Sequence, residues 1–380
     1  MDAIERITPQ HGGQLHAIAA SFGLPVSKLL DFSANINPDG PPPAVVSALK
    51  ESLGKLEGLT QYPDLEERTL RAALARYAGC IERGVLVANG FVPLLDASLR
   101  SLNVRSCLVP VPAFNEYRRV LERNDIDITT TVLDPEQSFH YDVDALLAAR
   151  HDAVLLANPQ NPSGVLAEYA TMVDLVTKAA ARNMYVLLDE AFIDYASGTS
   201  LSTTVSQFEN LIVFRSVTKC FGIPGLRLAY AITHERLRCR IEAYLPPWPI
   251  STLASIGTIA AVQDEAFIAE FPSSNERRRV ALARSLQALG LKVYPAAANF
   301  LLFRLPEGTD THQFWQQLVV THGIVLRSCL NFEGLLPGHL RAGVQREVDN
   351  EVLTTAISSQ LRLVTGAIAN RVPDCRSDRL

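Results

Sequence analysis

Three short apolar runs in the 380-residue chain are followed by polar residues of complementary chemistry. After residues 153–157 comes Asn158-Pro159-Gln160-Asn161-Pro162-Ser163-Gly164. After 184–188 comes Asp189. After 211–214 comes Arg215-Ser216-Val217-Thr218-Lys219, with Arg227 eight residues beyond the lysine. A lysine amine condenses with an aldehyde to give a Schiff base. A carboxylate keeps a pyridine nitrogen protonated, so that the ring withdraws electrons. An amide can serve a ring hydroxyl; hydroxyls, backbone N–H groups and a guanidinium can hold a phosphate. Lys219, Asp189, Asn161, Ser216, Thr218 and Arg227 are thus expected to hold pyridoxal 5'-phosphate (PLP). Gly90 lies at a turn into a helix starting near Phe91, where N–H groups, those of Phe91 and Val92 among them, would meet the same phosphate. Taken singly, each signal is weak. A lysine after a strand is usually a surface residue, an Asp there is often a helix cap, and N-P-x-N-P-x-G makes a double turn. Their weight lies in occurring in order at successive strand ends.

Those ends require a sheet. Apolar runs rich in Val, Ile and Leu occupy 84–88, 106–111, 128–133, 153–157, 184–188, 211–214 and 226–232. Residues 168–182 between two of them show the three-and-four spacing of a helix. Continuous apolar strands joined by helices predict a mostly parallel, seven-stranded sheet covered on both faces. In such sheets ligands bind beyond the carboxyl ends of the strands. The fold class expected is α/β: a large PLP-binding domain over 46–255 and a smaller α+β domain over 256–365. Residues 1–45 read as an irregular arm joining the small domain, and 366–380 as a flexible tail. One helical stretch is expected over 256–290, with strands at Val293 and 299–304 and a closing helix over 347–363.

Composition excludes several classes. Hydrophobic residues make up 48%, ample for a large core. The 35 Lys+Arg and 40 Asp+Glu give a net charge of -5, against a nucleic-acid partner. Six scattered cysteines form no metal-ligand spacing and read as free thiols, so no metal site is expected. No apolar run reaches the roughly 18 residues of a membrane span, and the N-terminus lacks an apolar leader core. A soluble cytoplasmic protein is expected.

From about His11 to Leu363 the chain resembles fold type I PLP enzymes of the aspartate aminotransferase superfamily. The resemblance makes Lys219 the cofactor lysine, Asp189 the partner of the pyridine nitrogen and Asn161 that of the ring hydroxyl. It makes Arg227 and Ser216 phosphate ligands. Phe114, in Pro112-Ala113-Phe114, matches the aromatic that stacks on the ring. Tyr62, in Gln61-Tyr62-Pro63-Asp64, matches a tyrosine sent to the neighbouring subunit's phosphate, which implies a homodimer with shared active sites.

Within the superfamily the chain is similar to histidinol-phosphate aminotransferases and to the threonine-phosphate decarboxylases of cobalamin biosynthesis. His11-Gly12-Gly13, Asp31-Phe32-Ser33-Ala34-Asn35-Ile36-Asn37-Pro38, Phe192 in Asp189-Glu190-Ala191-Phe192, Pro247-Trp248 and Leu326-Arg327-Ser328-Cys329 look like the decarboxylases. Leu340-Arg341 matches the arginine that binds the substrate carboxylate. Gly90-Phe91-Val92-Pro93 departs from the usual phosphate segment by lacking a hydroxyl and an acid. Gln14 and Gln345 stand where the decarboxylase pattern has Asn and Arg.

The resemblance implies decarboxylation of O-phospho-L-threonine, or a close phosphorylated amino acid, to (R)-1-amino-2-propanol phosphate. Arg327 and Arg341 would grip carboxylate and phosphate, while His11 and Asn35 close over the substrate. An aminotransferase of the histidinol-phosphate type is the alternative. A cofactor-impaired member acting as a binding partner is a third reading, motivated by Val92 and Pro93.

Overall fold

A computed structural model of the chain describes residues 11–196 and 200–369. The seven apolar runs form one sheet. Its strands are β1 (Val85–Ala88), β2 (Ser106–Val111), β3 (Asp127–Val132), β4 (Ala153–Ala157), β5 (Tyr185–Asp189), β6 (Leu211–Ser216) and β7 (Ala229–Thr233). The order across the sheet is β1-β7-β6-β5-β4-β2-β3. Only β7 runs antiparallel to its neighbours. The two-residue period of a strand sends alternate side chains to opposite faces. Val154, Leu156, Val186, Leu188 and Val213 enter one core, whereas Ala153, Leu155, Leu187, Ile212 and Phe214 enter the other. Burial on both faces is why these runs lack polar alternation. β3 closes an edge, and there its threonines are partly exposed.

The chain crosses from β3 to β4 over β2, so the strand order reverses between β2 and β4. That reversal opens a crevice at the carboxyl ends of the parallel strands. Phe114 follows β2, Asn161 follows β4, Asp189 ends β5 and Ser216 ends β6.

The smaller unit is an antiparallel sheet of β8 (Lys292–Val293), β9 (Phe300–Arg304), β10 (Arg327–Ser328) and β11 (His339–Gly343), in the order β10-β11-β9-β8. Helices Thr311–His322 and Glu347–Ala369 cover it through Trp315, Leu318 and Ile357.

Four expectations change. The arm is not wholly irregular: Leu15–Phe22 is a helix closed by Gly23 at φ 64°, and it buries Ile18 and Ala19 in the small-domain core. The stretch 256–290 is two helices, Thr252–Val262 and Glu265–Ala288. They part at Asp264, whose side chain accepts from Phe267 N at 3.1 Å and caps the second. The passage between domains falls inside that second helix rather than at 256. Phe271 packs in the large core, while Leu282 and Leu286 pack in the small one. The closing helix reaches Ala369, four residues into the expected tail, and 370–380 lie outside the described residues.

Candidate active site

The crevice is a cleft of about 550 Å3 between the two domains. Lys219, Asp189, Asn161, Ser216, Thr218, Arg227, Phe114, Gly90, Phe91, Val92, His11, Asn35, Arg327 and Arg341 all line it. Tyr62 does not. It is 82% exposed and packs against Trp248, with ring centroids 4.9 Å apart.

Lys219 sits on a single helical turn, Val217–Cys220, capped by the Ser216 side chain. Its Nζ lies 3.3 Å from Thr218 Oγ1, which in turn is 2.8 Å from Ser216 Oγ. Burial pulls the Lys219 amine down to about 8, assisted by the positive charges of Arg227 and Arg341 and opposed by Asp189. The neutral, nucleophilic amine is therefore far more accessible near neutral pH than that of an ordinary lysine.

Asp189 lies at the end of a buried strand. Tyr117 Oη donates to its Oδ2 at 2.6 Å and Ala191 N to its Oδ1 at 3.0 Å. Burial raises the carboxyl, and these two donors and Lys219 oppose the rise. Burial also pushes the Tyr117 phenol far up, so it remains a donor.

Gly90 precedes helix Phe91–Leu102 at φ 95°, a conformation that disfavours any side chain. A Cβ there would come within 3.3 Å of Arg227 Nη2. The glycine thus keeps open a concavity between a helix N-terminus and a guanidinium. Pro93 costs nothing within that first turn, where an N–H has no helical partner. Phe114 joins Phe91 and Tyr117 in an aromatic wall, at 6.4 and 5.6 Å.

The small domain supplies two arginines. Arg341 Nη1 donates to Asn161 Oδ1 at 2.7 Å and Nη2 to Ser33 O at 3.1 Å, with its guanidinium 4.9 Å from the Phe300 ring centre. With its amide oriented to accept from this guanidinium, Asn35 lies 3.1 Å from Arg341 Nη2. Burial lowers Arg341 to about 9. Arg327 donates to Ser328 O and to Asn331 Oδ1 (2.8 Å), and lies over Phe332. From the arm, His11 Nε2 meets Glu116 Oε1 at 3.0 Å and its ring stands edge-on to Phe114.

Sequence reasoning passed over Tyr117, Glu116 and Ser33. Tyr117 had a signal: it lies three residues after Phe114, on the same helix face. Among the described residues no cluster of His, Cys, Asp and Glu suits a metal ion, and no helix is long and apolar enough to cross a membrane.

The donor set fits PLP. A buried carboxylate suits a pyridine nitrogen, and the Gly90–Arg227 cradle with the Ser216 and Thr218 hydroxyls suits a phosphate. A partly neutral lysine interacts with both ends of this arrangement. Asn161 gives its oxygen to Arg341, which leaves its NH2 as a donor for a ring hydroxyl. An open, mostly parallel sheet with this constellation at its carboxyl edge defines the class of PLP enzymes.

Comparison with known proteins gives the family. The model for aminotransferases of class I and II matches residues 27–359. The chain is 32% identical over 361 residues to a threonine-phosphate decarboxylase of Salmonella typhimurium, covering 92% of this chain and 96% of that protein. It is 26% identical to histidinol-phosphate aminotransferase 2 of Nitrosospira multiformis, covering 98% and 94%. It superposes on the histidinol-phosphate aminotransferase of Clostridium acetobutylicum with a TM-score of 0.82, at 26% identity, over 88% of this chain and all of that one. The chain belongs to the class I and II aminotransferase family, and it is a PLP-dependent enzyme.

Proposed function

We propose that the protein decarboxylates O-phospho-L-threonine, or a close phosphorylated amino acid, to (R)-1-amino-2-propanol phosphate and CO2. One observation carries the reading. Arg327 and Arg341 are Cα partners on adjacent antiparallel strands, and both are buried in the cleft that holds Lys219. Paired positions put their side chains on one face of the sheet, Cα atoms about 5 Å apart. Two guanidiniums presented side by side can each grip an anionic group through bidentate contacts. A substrate bearing both a carboxylate and a phosphate supplies those anions, and the Salmonella relative bears the name of an enzyme for such a substrate.

When bound, PLP supplies an electron sink for the pair released at the substrate's Cα. Lys219 Nζ would hold the cofactor aldehyde, and its amine is the group placed to return a proton to the substrate's Cα. Asp189, whose carboxyl accepts from Tyr117 Oη and the Ala191 N–H, would face the ring nitrogen. Asn161 Nδ2 would serve the ring hydroxyl and Phe114 would cover the ring. Ser216, Thr218, Arg227 and the N–H groups after Gly90 would hold the phosphate. Arg327 and Arg341 fix which bond at Cα is aligned to break, while His11 and Asn35 exclude water from above.

Tyr62 would complete the site of a second copy. Tyr62 packs against Trp248, and both are among the large apolar side chains left exposed, which a homodimer interface would cover. A phosphorylated amino acid as substrate and a cytoplasmic setting complete the reading. Incubation with O-phospho-L-threonine tests it: release of CO2 with aminopropanol phosphate is expected. Conversion to a pyridoxamine form that a keto acid restores would instead make the enzyme a transaminase of the histidinol-phosphate type, the reading favoured by the Nitrosospira relative.

A further inference from the structure

The arm passes between the two domains at residues 32–40, and its backbone is bonded to both. On the small-domain side Gly343 N donates to Phe32 O at 2.6 Å, and Asn299 Nδ2 donates to Asn35 O at 2.8 Å. On the large-domain side Asn37 N donates to Lys219 O at 3.0 Å, and Asn37 Nδ2 donates to Cys220 O at 2.7 Å. A second path reaches the same lysine carbonyl. Asn299 Nδ2 also donates to Tyr195 Oη at 3.1 Å, and Tyr195 Oη donates to Lys219 O at 3.3 Å. Asn37, Tyr195 and Asn299 are all buried.

We propose that Asn37 and Asn299 are positioning residues, which tie the Lys219 segment to the small-domain sheet that carries Arg341 through the arm segment 32–37. Neither side chain lines the cleft. Asn299 is 1% exposed, and its Oδ1 has no partner among the described residues. A buried acceptor left unpaired is destabilising, so a residue kept only for packing would be apolar. What the amide contributes is its two donations, one to the arm and one toward Lys219. Backbone contact reinforces the tie. A Cβ on Gly40 would lie 2.4 Å from Phe221 O, so arm and lysine segment touch main chain to main chain. Lys219 and Arg341 belong to different domains, and this strap sets the spacing between the amine and the guanidinium.

The inference rests on Lys219 as the cofactor lysine, and the test separates the two claims. Apoprotein is titrated with PLP by its visible absorbance band for wild type, Asn37→Ser, Asn299→Ala and the double variant. Amide hydrogen exchange of residues 216–222 is followed in the holoproteins. Asn37→Ser keeps an acceptor for Asp39 N, so the turn that the Asn37 side chain makes at 3.0 Å survives. Tyr195→Phe removes a single hydroxyl and cuts the second path should Asn299→Ala fail to fold. Each single variant should weaken PLP binding ~10-fold and speed exchange in that segment, as for loss of one buried hydrogen bond. Because both act on one strap, the double variant should lose less than the product of the two. Fully multiplicative losses overturn the proposal, as does reduced stability with unchanged PLP affinity and exchange. If the band persists in Lys219→Ala, the lysine assignment falls and the strap with it. If the band is lost there while the strap variants bind PLP like wild type, only the strap falls.

Discussion

Tyr117→Phe isolates the support given to Asp189. The phenol donates to a buried carboxylate at 2.6 Å, within the charge-assisted range. Phe keeps the ring, so the contacts with Phe91 at 5.7 Å and Phe114 at 5.6 Å survive and no cavity opens. What is lost is one of the two donors present among the described residues, the other being Ala191 N at 3.0 Å. A hydrogen bond to a charged group contributes about 1.5–3 kcal/mol, so PLP affinity should fall ~10- to 100-fold. Burial already raises the Asp189 carboxyl, and Tyr117 is the main influence holding it down. Its loss moves the carboxyl further up, and the defect in PLP binding should deepen as pH falls. The sign for the apoprotein follows from linkage. A carboxyl raised in the fold favours the folded state most below its unfolded pKa, and that contribution fades as pH rises through the folded value. Tyr117→Phe should shift this loss to higher pH. Titration of apoprotein with PLP across pH, beside urea denaturation, reads both effects. Wild-type affinity at every pH would refute the reasoning.

Four further outcomes follow from the geometry. The rate at which apoprotein takes up PLP should climb with pH and level off above about 8, because only the neutral Lys219 amine adds to an aldehyde; a stopped-flow pH series shows this. Gly90→Ala forces a side chain into φ 95° beside Arg227, so strain of ~1–3 kcal/mol should appear as weaker PLP binding in the same titration. Asp194→Asn removes the charge partner of buried Arg215, and the urea midpoint should drop by an amount equivalent to ~3–5 kcal/mol. Mixing inactive Lys219→Ala with a Tyr62→Ala variant should restore one complete site per hybrid dimer, measured as activity above the sum of the parents.

The sheet was legible because its strands are buried on both faces, which leaves continuous apolar runs such as 153–157 and 184–188. The cleft residues were legible for a related reason: a parallel sheet gathers whatever follows its strands at one edge, so Asn161, Asp189 and Lys219 meet despite their separation in sequence. What stayed hidden depends on tertiary neighbours. Helix Leu15–Phe22 is only eight residues long, set between Gly13 and Gly23, and the small-domain core that receives Ile18 explains it. Tyr117 is an unremarkable helix residue until the Asp189 carboxylate arrives above it. Asn299 precedes a strand as an ordinary polar residue, and its two donations go to segments 264 and 104 residues away. Tyr62 lies outside its own cleft, exposed and against Trp248, so the role implied for it by the resemblance would need a second chain.

The central claim is that Lys219 carries the cofactor. Reduction of the holoprotein with borohydride, proteolysis and mass spectrometry test it most directly. The account predicts a phosphopyridoxyl group on the peptide containing Lys219 and on no other. Modification of a different lysine, such as Lys28 or Lys292, with Lys219 unmodified would contradict it.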